Sequence, residues 1–405
     1  MGSESATLTG NYSPTPRDLW MVRLYYFTMY GGTGFVTPFL NLFLASQGLD
    51  GVKIGLTVAV GSAVGLVAAP LWTRFSARNK RPLRLLQIAL ILSALVTVVL
   101  SVQSVLFWLS FFYALRILVS VGVSPLSDSM ALRVTEALEA GFGSVRVWGS
   151  FGWAVMVLFT GWLNQNTSLR SGFYGFGFAF AVSALLLTQV RAEHAPASTV
   201  QAYTRAAALG FRKTASRIWH NRPLVGLGIM LAITGLANTG VLQFENIYLT
   251  QLGAQAGLVG VASMASSVIE IPGMLWADRM VQRHSPARML LVSLGLSCLM
   301  RSAVFLFPSV VTIIAAKAAG GIAFSFYTVA LIKYIAERTA ARETATALAI
   351  FTVTLPGIIS IAAAPVSGYV FDLVGARWLY VAAALGYILG GLVLRAVQPT
   401  PEKIR

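Results

Sequence analysis

Pro125-Leu-Ser-Asp128-Ser-Met130 closes one long apolar stretch, and Phe142-Gly-Ser-Val-Arg146-Val-Trp-Gly-Ser-Phe-Gly-Trp153 opens the next. These segments carry charge where lipid should forbid it. An ionised side chain at membrane depth costs at least ~2.5–3.5 kcal/mol, so it normally faces a partner or a water-filled cavity. Asp128 lies roughly two turns before the first stretch ends, and Arg146 about one turn after the second begins. On neighbouring antiparallel helices the two reach similar depth. Trp153 follows Arg146 by seven residues, which puts indole and guanidinium on one helix face. A carboxylate, a guanidinium and an aromatic plate on one wall suit a polar small molecule.

The rest of the chain reads as membrane. Of 405 residues, 56% are apolar and only 11% charged, against about 25% charged in soluble domains. With ~20 apolar residues needed per crossing, twelve spans are expected: 19–45, 54–73, 84–103, 105–132, 145–163, 172–190, 224–250, 255–277, 288–307, 309–332, 344–370 and 376–395. The segment through Arg17 is polar and has no cleavage pattern, so the first span is expected to serve as the insertion signal. Cys298, inside the ninth span, is the sole cysteine. It excludes an internal disulfide and a cysteine metal cage, and neither metal nor cofactor is expected.

The net charge of +16 is a topology signal. Arg74, Arg78, Lys80, Arg81 and Arg84 follow span two. Arg191, Arg205, Arg212, Lys213, Arg217 and Arg222 fill the central segment. Arg279, Arg283 and Arg288 follow span eight, and Lys333, Arg338 and Arg342 follow span ten. The opposite loops hold Lys53, Arg170 and Arg377. This bias predicts a multi-pass protein of the cell membrane with both termini cytoplasmic. The basic loops would contact anionic lipid, and no nucleic-acid partner is expected.

The long polar stretch near 191–222 divides the spans six and six. The expected organisation is a tail (1–18), a first six-helix bundle (19–190), a central loop (191–222), a second bundle (223–396) and a tail (397–405). The halves repeat each other. Phe39-Leu-Asn41-Leu-Phe-Leu44 is answered by Phe244-Glu-Asn246-Ile-Tyr-Leu249, Gly48 by Gly253, Gly55 by Gly260, Leu71-Trp72 by Leu275-Trp276, and Pro82-Leu-Arg84 by Pro286-Ala-Arg288. The offset stays at 204–205 residues. Two parallel six-span repeats imply a midplane site opened alternately to each side.

On these features the chain resembles the major facilitator superfamily, close to the lactose permease, nucleoside–proton symporter and phenylpropionate permease-like groups. Pro125, Asp128, Phe142-Gly143, Arg146 and Gly149-x-x-Gly152-Trp153 match lactose permease in spacing, with Asp in place of Glu at 128. Arg301, Lys317 and Lys333-Tyr-Ile match charged or flanking positions of the second half. The resemblance implies that Asp128 and Arg146 bind hydroxyls of a sugar and that Trp153 stacks on its ring. It fails where that group handles protons. The histidine–glutamate pair of span ten falls at Gly320 and Ala323, the acids of span seven near Asn238 and Val241, and the lysine of span eleven near Pro356. The Asp expected after span two falls at Ala77, whereas Ala277-Asp278-Arg279 keeps the cytoplasmic loop motif in the second half.

The histidines (His194, His220, His284) lie in loops, so a carboxylate must carry any coupled proton. The acids at membrane depth are Asp128, Glu245 and Glu270, and the bases are Arg23, Arg116, Arg146, Arg301 and Lys317. Glu270, beside Pro272 and Gly273, is the expected proton carrier, with Arg301 and Lys317 as its partners; the alternative is a static ion pair with one of them. Glu245, near the outer end of span seven, is expected at a gate or rim. Asp128 either binds substrate hydroxyls or pairs with Arg146. Arg23 is expected to snorkel to the interface, and Trp148 to pack. Three arginines against Asp128 in the first half keep an anionic substrate open.

The expectation is an all-α membrane protein of twelve helices that moves a polar organic solute, sugar or nucleoside-like, together with a proton. It is expected to act as a monomer and not as an enzyme. The alternatives are an exporter of sugars or drugs, an uncoupled facilitator and an organic-anion transporter. An enzyme would need clustered ligands or an activated nucleophile. A non-transporting receptor would leave the repeated halves unexplained.

Overall fold

A computed structural model describes residues 14–79, 81–190 and 216–398. The tail residues 1–13 and 399–405, Lys80, and most of the central loop with Arg191, His194, Arg205, Arg212 and Lys213 lie outside the described residues; so do the side chains of Ala77 and Arg342. The described chain is helical: α1 (Pro16–Val36), α2 (Leu40–Ser46), α3 (Gly51–Arg78), α4 (Pro82–Ser101), α5 (Leu106–Ser120), α6 (Val123–Ala137), α7 (Gly143–Asn166), α8 (Arg170–Leu187), α9 (Arg222–Gln251), α10 (Ala256–Arg283), α11 (Pro286–Leu306), α12 (Val310–Ala336), α13 (Ala341–Ala349), α14 (Leu355–Val374) and α15 (Ala376–Ala396). Ten spans among the described residues are long and apolar enough to cross a bilayer. The 21-residue α1 and 24-residue α7 have the length to cross as well, completing twelve. Their apolar run is diluted by a polar face that carries tyrosines on α1 and Arg146 on α7.

Local chemistry starts and stops these helices. Pro82 and Pro286 occupy first-turn positions, where the missing N–H costs nothing. The Thr15 N–H donates to Asp18 Oδ2 at 2.8 Å, and Ser309 Oγ accepts the Thr312 N–H at 3.1 Å, both relieving unpaired groups of a first turn. The repeat is visible in the turns that follow α2 and α9. Gly48 (φ +82°) and Gly253 (φ +91°) both take the left-handed conformation that glycine allows. The next residues close back identically, Leu49 N–H to Leu44 O and Ala254 N–H to Leu249 O.

Three expected single spans are interrupted. The stretch 19–45 breaks at residues 37–39, because Pro38 cannot continue the helix; its carbonyl is taken by Asn246 Nδ2 at 2.7 Å. The stretch 105–132 breaks at Val121-Gly122 and runs on to Ala137. There the Trp72 indole N–H donates to the Leu118 carbonyl at 2.6 Å, an acceptor that a continuous helix would give to residue 122. Gly122 leaves room for that ring, since a Cβ would lie 2.5 Å from it. In the stretch 344–370, Pro356 is preceded by a π-helical turn at Ile350–Thr354, the form a removed N–H commonly leaves.

The chain separates into two compact units, Met1–Thr37 with Val67–Ala202 and Pro38–Leu66 with Tyr203–Arg405. Residues 38–66 group with the second half, while the first unit keeps the chain up to Thr37 and the part from Val67. The physical reason lies in polar contacts within the second unit. Asn41 Nδ2 donates to the Gln243 carbonyl at 2.9 Å, and the Gly51 and Val52 N–H groups at the start of α3 donate to Asp372 at 2.7 and 2.9 Å. Ser62 and Ser360 hydroxyls meet at 2.9 Å.

Candidate functional site

In the first unit, α1 packs against α6 and α7 and sets three tyrosines beside them. Tyr26 Oη donates to Asp128 Oδ1 at 2.7 Å, Tyr25 and Ser127 hydroxyls meet at 2.5 Å, and Tyr30 and Ser124 hydroxyls at 3.2 Å. Asp128 is half-buried and Arg146 exposed. The Arg146 guanidinium lies 4.3 Å from the Tyr30 ring centre, a cation–π contact. The plate beneath the arginine is therefore Tyr30 of α1. Trp153 of α7 packs toward α1, its Cδ1 3.6 Å from a Cβ built at Gly34. Gly149 makes the stacking possible: a Cβ there would stand 2.7 Å from Tyr30 Cδ2 and 3.1 Å from an Arg146 nitrogen.

The three tyrosines are what sequence reading missed. Their signal was Tyr25-Tyr26 and Tyr30, one helical turn apart on an otherwise apolar span. Arg23 lies 5.0 Å from the Trp20 ring centre and reaches Ser144 Oγ at 3.4 Å. Arg116 lies 5.5 Å from that of Phe176. Trp148 packs edge-on against Trp20 with ring centres 5.7 Å apart, as expected of a packing residue.

The second unit gathers its charges around Glu245. Arg301 Nη1 donates to Glu245 Oε1 at 3.0 Å and Lys317 Nζ to Oε2 at 2.9 Å. Tyr380 Oη donates to Oε1 at 3.3 Å, and Lys317 also reaches Asn246 Oδ1 at 3.1 Å. Glu245 is buried. This corrects the expectation for Glu245. Arg301 and Lys317 both form ion pairs with it, and Glu245 is the centre of a buried network and not a rim residue. Sequence distance hid this, because α9, α11, α12 and α15 meet only in the folded bundle.

Glu245, Arg301 and Lys317 line a cavity of about 710 Å³ in this unit, together with Glu270. The α10 backbone at Glu270 is pinned to α12, where Ser325 Oγ donates to the Glu270 carbonyl at 3.0 Å. Asn238 and Gln243 of α9 line the same cavity. Asn238 Oδ1 and both amide atoms of Gln243 are buried without a protein partner among the described residues. Such atoms are costly unless water or a ligand meets them. Gly320 and Pro356 also line the cavity. Asp278 and Arg279, expected in a loop, are exposed on the last turns of α10, which runs past the expected end to Arg283.

The chain matches the model of the MFS_1 like family over residues 19–382. It is 28% identical over 379 residues to maltose permease of Geobacillus stearothermophilus, covering 92% of each chain. The crystal structure of nucleoside transporter NupG superposes with a TM-score of 0.82 at 14% identity, covering 94% of this chain and 98% of that one. A POT family transporter in complex with 5-aminolevulinic acid gives a TM-score of 0.72 at 11% identity, covering 96% and 97%. At such identities the two structures speak for a shared fold.

Proposed function

Because this chain belongs to the MFS_1 like family, we propose that it is a secondary transporter moving a polar organic solute, sugar or nucleoside-like, across the cell membrane with a proton. The observation that carries this reading is the wall of the first unit, where exposed Arg146 is stacked on Tyr30 beside Asp128 and Tyr26. A fixed carboxylate accepts from hydroxyls, a guanidinium donates to ring and hydroxyl oxygens, and aromatic faces cover the apolar side of a sugar or base. Similarity to a maltose permease favours a sugar among these solutes.

In this reading Asp128, Arg146 and Trp153 contact the solute, and Glu270 carries the proton. The halves alternate access, and both termini are cytoplasmic. Glu245 holds Arg301 and Lys317 in place while Glu270 changes charge. Uptake of labelled maltose and uridine into proteoliposomes tests the reading. It predicts saturable entry of at least one solute that protein-free vesicles lack, and absence of entry for every sugar and nucleoside tried would overturn it.

A further inference from the structure

Two glycines stand on the wall of the second unit's cavity, Gly235 of α9 and Gly320 of α12. Packing accounts for the first, because a Cβ at Gly235 would lie 3.1 Å from the Ile359 side chain. It also accounts for Gly321, the next residue of α12, where a Cβ would lie 2.5 Å from the Ser266 carbonyl oxygen of α10. At Gly320 a Cβ would meet nothing within 4 Å. Backbone conformation does not call for glycine there either, since the left-handed glycines among the described residues are Gly48, Gly253 and Gly375. A glycine inside a helix is less stable than an alanine. Gly320 thus weakens α12 without a packing reason, and what it leaves is room in the cavity.

That room has defined ends. Lys317, Gly320, Phe324 and Tyr327 recur at helical spacing and all line the cavity. Gly320 falls between Lys317, one turn before it, and Phe324, one turn after it. The Lys317 ammonium is fixed by Glu245 Oε2 at 2.9 Å and Asn246 Oδ1 at 3.1 Å. An ammonium carries three donors, and these two bonds use two. Phe324 is 50% exposed although it stands in the cavity wall. A helical side chain leans over the turn on its N-terminal side, so the Phe324 ring borders the space above Gly320. The result is a notch with helix backbone as its floor, an ammonium at one end and an aromatic ring at the other.

We propose that this notch seats a sugar ring and that Gly320 sets the size of the solute, admitting a disaccharide. The inference rests on the transport reading above and narrows its solute from a polar organic molecule to a two-ring sugar. A sugar ring has the matching chemistry: hydroxyl oxygens accept from the ammonium, and the apolar face of the ring lies against an aromatic side chain. The cavity of about 710 Å³ is in the upper part of the ~300–1,000 Å³ range of ligand pockets, so one hexose does not fill it. A branched side chain at position 320 would fill the notch without touching the protein and would exclude the second ring.

Equilibrium binding of labelled maltose and labelled glucose to the purified full chain in lipid nanodiscs tests this. The unmutated protein is expected to bind maltose at least about tenfold more tightly than glucose. Gly320→Leu should cut that preference by about tenfold or more, with Gly320→Ala in between. Without ligand, both variants should melt at or above the Tm of the unmutated protein, because alanine and leucine favour the helix and the space is open. This stability readout separates a filled notch from a misfolded chain. Equal affinity for the two sugars in the unmutated protein, a preference that persists in Gly320→Leu, or a lowered Tm in Gly320→Ala would overturn the inference. If glucose or uridine is still taken up by proteoliposomes, the transport reading survives that failure; if no solute moves, both fall.

Discussion

At the residue scale, recognition depends on how Arg146 is held. Its guanidinium lies 4.3 Å from the Tyr30 ring centre, and this contact with an aromatic face suits a planar fork. Arg146→Ala is expected to abolish transport with normal expression and helical content. Arg146→Lys is expected to fail too, because an ammonium reproduces neither the stacking nor a bidentate contact. Full activity of the Lys variant in vesicle uptake would reduce Arg146 to a point charge. Gly149→Val tests the neighbouring space. A Cβ at 2.7 Å from Tyr30 forces the ring or the arginine to move, at an overpacking cost of about 1–3 kcal/mol. Uptake should fall by about tenfold or more while the protein still folds, and unchanged uptake would show that the stacking is dispensable. Asp128 and Arg146 were legible in the sequence because charge inside an apolar run stands out. Tyr26 and Tyr30 were not, because a tyrosine in a span is ordinary until a carboxylate and a guanidinium are seen against it. Glu245 was misread for a related reason: position along α9 tells depth, but its partners come from α11, α12 and α15.

At the element scale, apolar length gave the number of spans and charge gave their ends, while the breaks depended on neighbours. Pro38 and Pro356 mark interruptions that the length of the apolar runs did not reveal. The break at Gly122 required Trp72 to take a carbonyl from another helix, which periodicity along α5 and α6 cannot register. The internal repeat was legible because it is built into the backbone. Gly48 and Gly253 make the same turn, and Asn41 and Asn246 each donate to a backbone carbonyl of the other repeat. The orientation of the elements rests on the basic loops. Arg170, which opens α8, should be external, and Arg205 in the central loop internal. Single cysteines placed at these two positions and treated with an impermeant thiol reagent in intact cells test this. Labelling at 170 and not at 205 is expected, and the reverse pattern would invert the topology.

At the scale of the whole molecule, each unit has its own polar centre: Asp128 and Arg146 with the α1 tyrosines in one, Glu245 with Arg301, Lys317 and the cavity in the other. The proposed division of labour is that the first recognises the solute and the second couples it to a proton. Removing the titrating group should therefore separate exchange from accumulation. Glu270→Gln keeps a similar shape and hydrogen-bonding capacity, and exchange of labelled for unlabelled solute needs no net proton movement. Exchange should survive in this variant while uphill accumulation disappears. Loss of both would assign Glu270 to binding, and retained accumulation would move the proton to Asp128. The most direct measurement is accumulation of the transported solute in proteoliposomes containing the unmutated protein, with the outside made acidic. Accumulation above the external concentration that collapses when a protonophore dissipates the pH gradient is the predicted result; uptake that stops at equal concentrations with and without the gradient would contradict proton-coupled transport.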